Sequence, residues 1–444
     1  MEKITLISKK IVFTISLLFT TVFGISQTIQ IYSTSGTFTV PAGVTSIQVE
    51  AWGGGGAGGG ATKNSSGGGG GAGGGYVKNT AFTVVPGTIY TINVGTGGLG
   101  TTGSGGAGGA SWFQSSTTIK AVGGNGGNSS ESNNNTAVGA SASTTGNIGW
   151  STSYSYYGGA GGSGGLSGIS GGGGGSSAGT LTNGNAPILL IGGIAPVGGG
   201  AGATGSVADA NGASSTTFGA GGAGGHSTSP SNPRTGGNGS DGKVIITWNC
   251  PTTYSLSTTT IATSVCTTNS ATIAVTAATA NLPVGIYTVT YDLLGADVAI
   301  GNTATMTVTT AGVGTFTTNT LFNSGVTALT ITKLSSGGTA PYNCSSLITI
   351  NNLVNITINT TPIILSTTPA SRIGTGTVVL EATASVGSIS WFTALTGGTN
   401  LGTGLTLTTP ILTTTTTYYL EVNNASCTFS PRIPIIATVN TPEI

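Results

Sequence analysis

Ser46-Ile-Gln-Val-Glu-Ala-Trp52-Gly-Gly-Gly-Gly56-Ala57-Gly-Gly-Gly60 passes in a single step from an alternating strand pattern into nearly pure glycine. Glycine then dominates to residue 239, and the chain leaves it through Gly242-Lys-Val-Ile-Ile-Thr-Trp248, again a strand pattern. A flexible linker would not be framed by strands at both ends. The framing predicts a β-scaffold that exports glycine-rich loops and takes the chain back.

Composition agrees with strands. The 444 residues are enough for about three domains at roughly 150 residues each. Charged residues make up only 5%, against roughly 25% in ordinary soluble domains, and there are 81 glycines. Low charge with much glycine usually signals disorder. Here 37% of residues are hydrophobic, and Val, Ile, Thr and Tyr fall in alternating runs, so an all-β fold is expected.

The first 26 residues read as a signal peptide. Lys3, Lys9 and Lys10 form a basic start, and 11–24 is an apolar run too short for the roughly 20 residues of a membrane span. Small residues at Gly24 and Ser26 place cleavage between Ser26 and Gln27. No integral membrane segment is expected after that cut. Cleavage removes three lysines and one glutamate and leaves eight basic and nine acidic residues. So neutral a chain cannot attract nucleic acid by charge, and no nucleic-acid partner is expected. Export makes disulfides possible.

Strand patterns recur at Gly36–Gly43, which ends in a turn, and at Thr45–Trp52, Tyr76–Lys78, Ala81–Val85, Ile89–Val94, Ala110–Phe113 and Ile119–Val122. Glycine runs separate them near 53–75, 95–109, 158–179 and 192–239. Phe38-Thr-Val-Pro-Ala-Gly-Val-Thr-Ser-Ile-Gln-Val-Glu-Ala-Trp-Gly-Gly-Gly-Gly56 resembles the opening of the glycine-rich domain of bacterial surface proteins and phage tail-fibre adhesins. The aspartate-glycine entry into Val244–Thr247 is similar to that domain's last strand. The resemblance covers about 28–249. It implies a β-sandwich carrying packed polyglycine II helices, as in the glycine-rich region of the anaplastic lymphoma kinase receptor. Such a helix has three residues per turn and no internal hydrogen bonds, so its amides must bond to neighbours. Side chains would block that approach. Collagen is excluded because no strict Gly-X-Y period holds.

Composition shifts at Asn249-Cys-Pro251. Residues 250–360 are threonine-rich, with alternation at Ser270–Thr276, Ile286–Asp292, Thr303–Val308 and Thr327–Thr332, and read as a sandwich. Residues 361–444 repeat the style at Thr377–Thr383, Ser388–Phe392 and Thr414–Val422, with a Gly397-Gly398 turn. This last segment resembles the immunoglobulin-like modules of secreted proteins from gliding bacteria, and Trp391 is similar to their buried central-strand tryptophan. The expected domains are therefore a signal peptide at 1–26, a glycine-rich domain at 27–249, and immunoglobulin-like sandwiches at 250–360 and 361–444.

Chemical motifs are weak. G-x-G-x-x-G arises by chance in so much glycine. Gly237–Val244 almost spells a phosphate-binding loop, but Val244 stands where Mg²⁺ needs a hydroxyl, and a strand follows instead of a helix. Gly236–Val244 nearly fits a calcium-binding nonapeptide, but Lys243 replaces the apolar residue and no second copy stacks beside it. Asp241 reads instead as a turn residue. His226 is the only histidine, with no acid beside it in sequence. No catalytic residue, cofactor or metal is expected.

Four cysteines, Cys250, Cys266, Cys344 and Cys427, allow three pairings. Cys266 and Cys344 bracket the middle segment, so that bridge is favoured, with Cys250–Cys266 as its rival. The aromatics Trp112, Trp150, Tyr154, Tyr156 and Tyr157 remain. Trp150-Ser-Thr-Ser-Tyr-Ser-Tyr-Tyr157 lies between glycine runs. Tyr and Trp give large contact area and stack on sugar faces, so Trp150, Tyr154, Tyr156 and Tyr157 are the candidate ligand contacts. Packing on the scaffold is the competing reading of these rings.

The phage-adhesin resemblance implies adhesion: a glycine-rich tip on an immunoglobulin-like stalk, contacting carbohydrate or cell-surface components from an extracellular or cell-surface location. A matrix or coat component without a discrete ligand is the alternative, and ice binding a minor one. Surface proteins with this last module often continue into a sorting or gliding-motility domain. The chain ends at Ile444 just after a strand, which leaves the export route open.

Overall fold

A computed structural model describes residues 27–165, 169–250, 253–261, 264–424, 426–427 and 432–441. The expected signal peptide lies outside the described residues. Those residues form strands and extended segments, and no helix among them is long and apolar enough to cross a membrane.

Eleven strands frame the glycine-rich part. They are β1 (Gln27–Tyr32), β2 (Gly36–Thr39), β3 (Ser46–Trp52), β4 (Ser66–Gly67), β5 (Tyr76–Thr83), β6 (Ile89–Asn93), β7 (Ser111–Phe113), β8 (Ile119–Ala121), β9 (Ser155–Tyr156), β10 (His226–Ser227) and β11 (Lys243–Asn249). One sheet runs β1-β11-β3-β5-β9 and faces a second, β2-β6-β7-β8. Alternation sets the layers: Val49, Ala51, Val77, Val244 and Ile246 point inward and are fully buried with Phe38, Ile92 and Phe113. β11 sits between β1 and β3, so the strands before and after the glycine are neighbours. This is why the glycine can leave the sheet and return.

The glycine itself is packed. All nine amides of 53–61 donate to other segments at 2.8–3.0 Å, in a repeat of three. Gly53, Gly56 and Gly59 bond to Gly75, Ala72 and Gly69. Gly54, Ala57 and Gly60 bond to Gly109, Gly106 and Gly103, and Gly55, Gly58 and Ala61 bond to Ser240, Gly237 and Arg234. The carbonyls of Gly54, Ala57 and Gly60 accept from Gly124, Gly127 and Ser130. Three residues per turn with neighbours on every side is the polyglycine II arrangement. A methyl at Gly55, Gly56, Gly58 or Gly59 would land on a neighbouring carbonyl. Ala57, Ala61, Ala72, Ala178, Ala220 and Ala223 are fully buried positions where a methyl fits.

Two further sandwiches follow. The first comprises β12 (Thr258–Ile261), β13 (Val265–Cys266), β14 (Thr272–Thr276), β15 (Gly285–Gly295), β16 (Ala299–Val308), β17 (Val313–Thr317), β18 (Gly325–Gly337), β19 (Asn343–Leu347) and β20 (Leu353–Asn359). The second comprises β21 (Ile364–Thr368), β22 (Ala370–Ile373), β23 (Val379–Ala384), β24 (Ser388–Phe392), β25 (Asn400–Thr403), β26 (Thr406–Thr408), β27 (Thr416–Asn423) and β28 (Ile433–Asn440). Their topologies coincide. Sheets β12-β14-β17 and β13-β20-β18-β15-β16 correspond strand for strand to β21-β23-β26 and β22-β28-β27-β24-β25, with β19 added in the first. In both, the opening strand divides between the sheets and its second half runs parallel to the last strand. This is the immunoglobulin-like arrangement. Trp391 is fully buried on β24 and its Nε1–H donates to Gly404 O at 2.9 Å, as its resemblance implied.

The joints are built differently. Between the glycine-rich sandwich and the next, one apolar core is continuous, running from Phe38 through Trp248 and Tyr254 to Tyr287 and Leu334. The turn at Ala42 is its hinge pin: Ala42 N–H donates to Ser336 Oγ at 2.9 Å, and Tyr254 O–H donates to Ala42 O at 3.3 Å. The last sandwich keeps a core of its own around Leu380, Trp391 and Leu420.

The disulfides correct the sequence reading. Cys250 pairs with Cys344 and Cys266 with Cys427, replacing both Cys266–Cys344 and its rival Cys250–Cys266. Cys266 and Cys344 bracket the middle sandwich in sequence but not in space. Cys344 is paired across the sheet with Ser336, at the joint with the glycine-rich part. Cys266 is paired with Asn359, where the chain enters the last sandwich. Each bridge therefore staples neighbouring sandwiches together.

Candidate ligand-binding face

The outer face of β1-β11-β3-β5-β9 presents residues two apart on each strand, and register places them in rows. One row is Lys243, Trp52, Tyr76 and Tyr156; the next is Ile245, Glu50 and Lys78; a third is Thr247 with Gln48.

The first row is aromatic. Phe218 contacts Trp52 at 5.6 Å between centroids, Trp52 contacts Tyr76 at 4.6 Å, and Tyr76 stacks on Tyr156 at 6.3 Å. Trp52 and Tyr76 are buried under the glycine bundle, where Trp52 Nε1–H donates to Ala178 O at 3.1 Å. The row surfaces at Tyr156. Lys243 closes its other end, with Nζ 3.4 Å from the Phe218 centroid and 4.2 Å from that of Trp52. Burial pulls the Lys243 ammonium down to about 8, with the Glu50 charge pulling it back upward.

The second row is internally neutralised. Glu50 accepts from Tyr76 O–H at 2.8 Å and Gln48 Nε2–H at 2.8 Å, and Lys78 Nζ lies 3.7 Å away. Burial, then Glu50, pushes the Tyr76 hydroxyl far above its ordinary range, so it stays a donor. Lys78 Nζ also sits 5.3 Å from the Tyr154 ring centroid.

The third row opens into a groove of about 320 Å³, bordered by Gln27, Thr45, Gln48, Thr80, Thr247 and Asn249. Every one of these six side chains is uncharged and polar. Trp248 also borders it, and its buried indole N–H has no hydrogen-bond partner.

The aromatic segment predicted as the ligand contact docks on the β5 edge of this face. Ser151 N–H donates to Lys78 O, and Lys78 N–H to Tyr154 O. Tyr154 and Tyr156 share the face with Lys78 and Tyr76. Tyr156 combines both readings of its ring, half-buried on Tyr76 while its O–H reaches Ser153 O at 2.9 Å. Trp150 is 44% exposed, and no ring contact joins it to the tyrosines among the described residues. Tyr157 follows β9 and is half-buried, its backbone N–H held by Asn183 Oδ1 at 2.9 Å. Sequence reasoning missed Gln48, Glu50, Lys78 and Lys243. The alternation Gln48-x-Glu50-x-Trp52 carried the signal, since it sets two polar residues and an aromatic on one face.

Elsewhere polar groups are committed to structure. Asp209 is held well below the usual carboxylate range by Arg234, which bonds both its oxygens at 2.9 and 3.0 Å. His226 Nδ1 lies 3.0 Å from Ala208 O. Asp241 accepts from Gly97 N–H at 2.7 Å, fixing the turn before β11. Among the described residues no three His, Cys, Asp or Glu side chains gather as metal ligands.

Comparison with known families fits this architecture. Residues 32–249 match the glycine-rich domain family, and residues 360–441 match the Ig-like domain family described as CHU_C-associated. The two families fit a modular surface or secreted protein, and domains of both kinds are typically structural rather than enzymatic. No curated protein matches the chain.

Proposed function

We propose that this chain, a glycine-rich domain followed in sequence by a CHU_C-associated Ig-like domain, is an adhesin-like binding protein of the cell surface or its surroundings. It binds rather than catalyses, and its ligand is an uncharged polar molecule of the carbohydrate class. The observation that carries this reading is the outer sheet face. There a groove of amide and hydroxyl side chains at Gln48, Thr80 and Thr247 adjoins a ledge with Tyr154 and Tyr156. Sugars need that combination, hydrogen-bond partners for hydroxyls and a ring for the apolar face. The one carboxylate on the face, Glu50, already has its partners, so little net charge is offered. The two sandwiches behind serve as a stalk, made stiff by the shared core and both disulfides.

The test is binding of the full chain to a glycan array and to intact cells. Saturable binding is expected, weakened roughly tenfold or more when Tyr154 and Tyr156 are replaced by alanine. Trp150→Ala and Gln48→Ala are expected to add to the loss. Absence of saturable binding would favour a coat component without a discrete ligand.

A further inference from the structure

The glycine bundle carries a second, apolar surface around residues 186–194. Ile188 and Ile191 exchange both backbone hydrogen bonds, at 3.1 and 3.0 Å, which makes Leu189-Leu190 the tip of a tight hairpin. Leu189 is 83% exposed and has φ of +56°. A leucine in the left-handed region costs roughly 1–2 kcal/mol, and asparagine or glycine is the usual occupant. Local folding thus disfavours leucine here, and so does solvent.

Apolar grooves flank the hairpin. One, of about 410 Å³, is bordered by Ala186, Ile188, Ile191 and Ile194; the other, of about 470 Å³, by Ile169, Pro187, Leu190 and Val207 beside Leu189 itself. Leu181, Ile188, Ile191, Ile194, Val197 and Val207 are each 57–77% exposed along this part of the chain. At about 100 Å² per fully exposed aliphatic side chain, those six sum to about 400 Å². Patches on monomers rarely exceed roughly 300–600 Å², and a standard interface takes about 800 Å² per partner. No Asp, Glu, Lys, Arg or His occurs between Glu131 and Asp209.

We propose that this patch is a self-association surface, on which Leu189 of one copy inserts into the Ile188–Ile191–Ile194 groove of a second copy of this chain. Knob and groove lie on one patch, which is the condition for a two-fold contact in which each copy does to the other what is done to it. The segment 132–208 that builds this face brings no Asp, Glu, Lys, Arg or His, so two identical copies meet with little like-charge repulsion. The patch is smaller than a standard interface, so a weak, reversible dimer is expected. The grooves share no lining residue with the groove of the proposed function, on which this point rests, so pairing would double the number of sites a single particle presents.

Sedimentation velocity of the full chain over a concentration series tests it. A monomer–dimer equilibrium is expected, weakened about tenfold or more by Leu189→Asn and by Ile194→Glu. Leu189→Asn should leave the melting temperature unchanged or raised, because it relieves the left-handed leucine, whereas a purely structural Leu189 would lower it. The proposal is overturned if the wild type stays monomeric to about 100 μM. It is equally overturned if both variants dimerise like the wild type, or if the patch binds neutral phosphatidylcholine vesicles while the chain remains monomeric.

Discussion

Cys266 and Cys427, 161 residues apart in sequence, are bonded across the joint between the middle and last sandwiches, with Cα atoms 5.9 Å apart. Beside them Thr267 and Thr361 exchange hydroxyl and backbone bonds at 2.9–3.0 Å. Among the described residues the last sandwich shares no core with its neighbour, so the covalent bond does what apolar packing does at the other joint. Cys427→Ser should therefore leave the melting of each sandwich almost unchanged while widening the distance distribution seen by small-angle X-ray scattering. Cys250→Ser acts inside a continuous core and closes 94 residues, so it should cost about 2–4 kcal/mol in stability. Nonreducing peptide mapping should recover Cys250–Cys344 and Cys266–Cys427; a Cys266–Cys344 peptide would contradict the assignment.

Glycine matters by position, not by content. A methyl on Gly58 would fall on the Ala223 carbonyl, and the bundle has no side chain there to move aside. Gly58→Ala should destabilise the glycine-rich part by about 3 kcal/mol or more. Gly103→Ala, where the nearest obstacle is Thr101 Oγ1 at 3.7 Å, should change stability by less than about 0.5 kcal/mol. Chemical denaturation of the two variants side by side checks the contrast.

Lys243 gives stability an uncommon pH dependence. Its amine keeps its proton to about 10.5 in the unfolded chain but only to about 8 when folded. Between those values the unfolded state binds more protons, so stability rises with pH. Above about 10 the sign reverses, because burial raises the Tyr32 and Tyr254 hydroxyls to about 12 and the unfolded chain ionises first. Urea titrations from pH 7 to 11 should show a maximum near 10. Lys243→Met should remove the rise and keep the fall.

Much of this architecture is legible in sequence because strands announce themselves by alternation. β3, β7, β8, β14, β15, β23, β24 and β27 all fall where alternating runs predict them, within a few residues. β1 is harder, since Gln27–Tyr32 has meaning only once β11 lies beside it. The cysteine pairing was illegible for a related reason: proximity in sequence predicts nothing about opposite ends of a sandwich. The candidate face was half legible. Tyr154 and Tyr156 stand out as aromatics among glycines, but Gln48, Lys78 and Thr247 join them only through strand register. The apolar hairpin at 188–191 was not legible, because a positive φ at Leu189 is invisible in composition.

Everything above depends on the glycine runs being a hydrogen-bonded core. Amide hydrogen exchange read residue by residue over 53–61 and 67–75 tests this most directly. The account predicts protection comparable to β3 and β5, since each of those amides from Gly53 to Ala61 has a carbonyl partner within 3.0 Å. Exchange of these glycines at the rate of an unstructured chain, with β3 and β5 still protected, would contradict it.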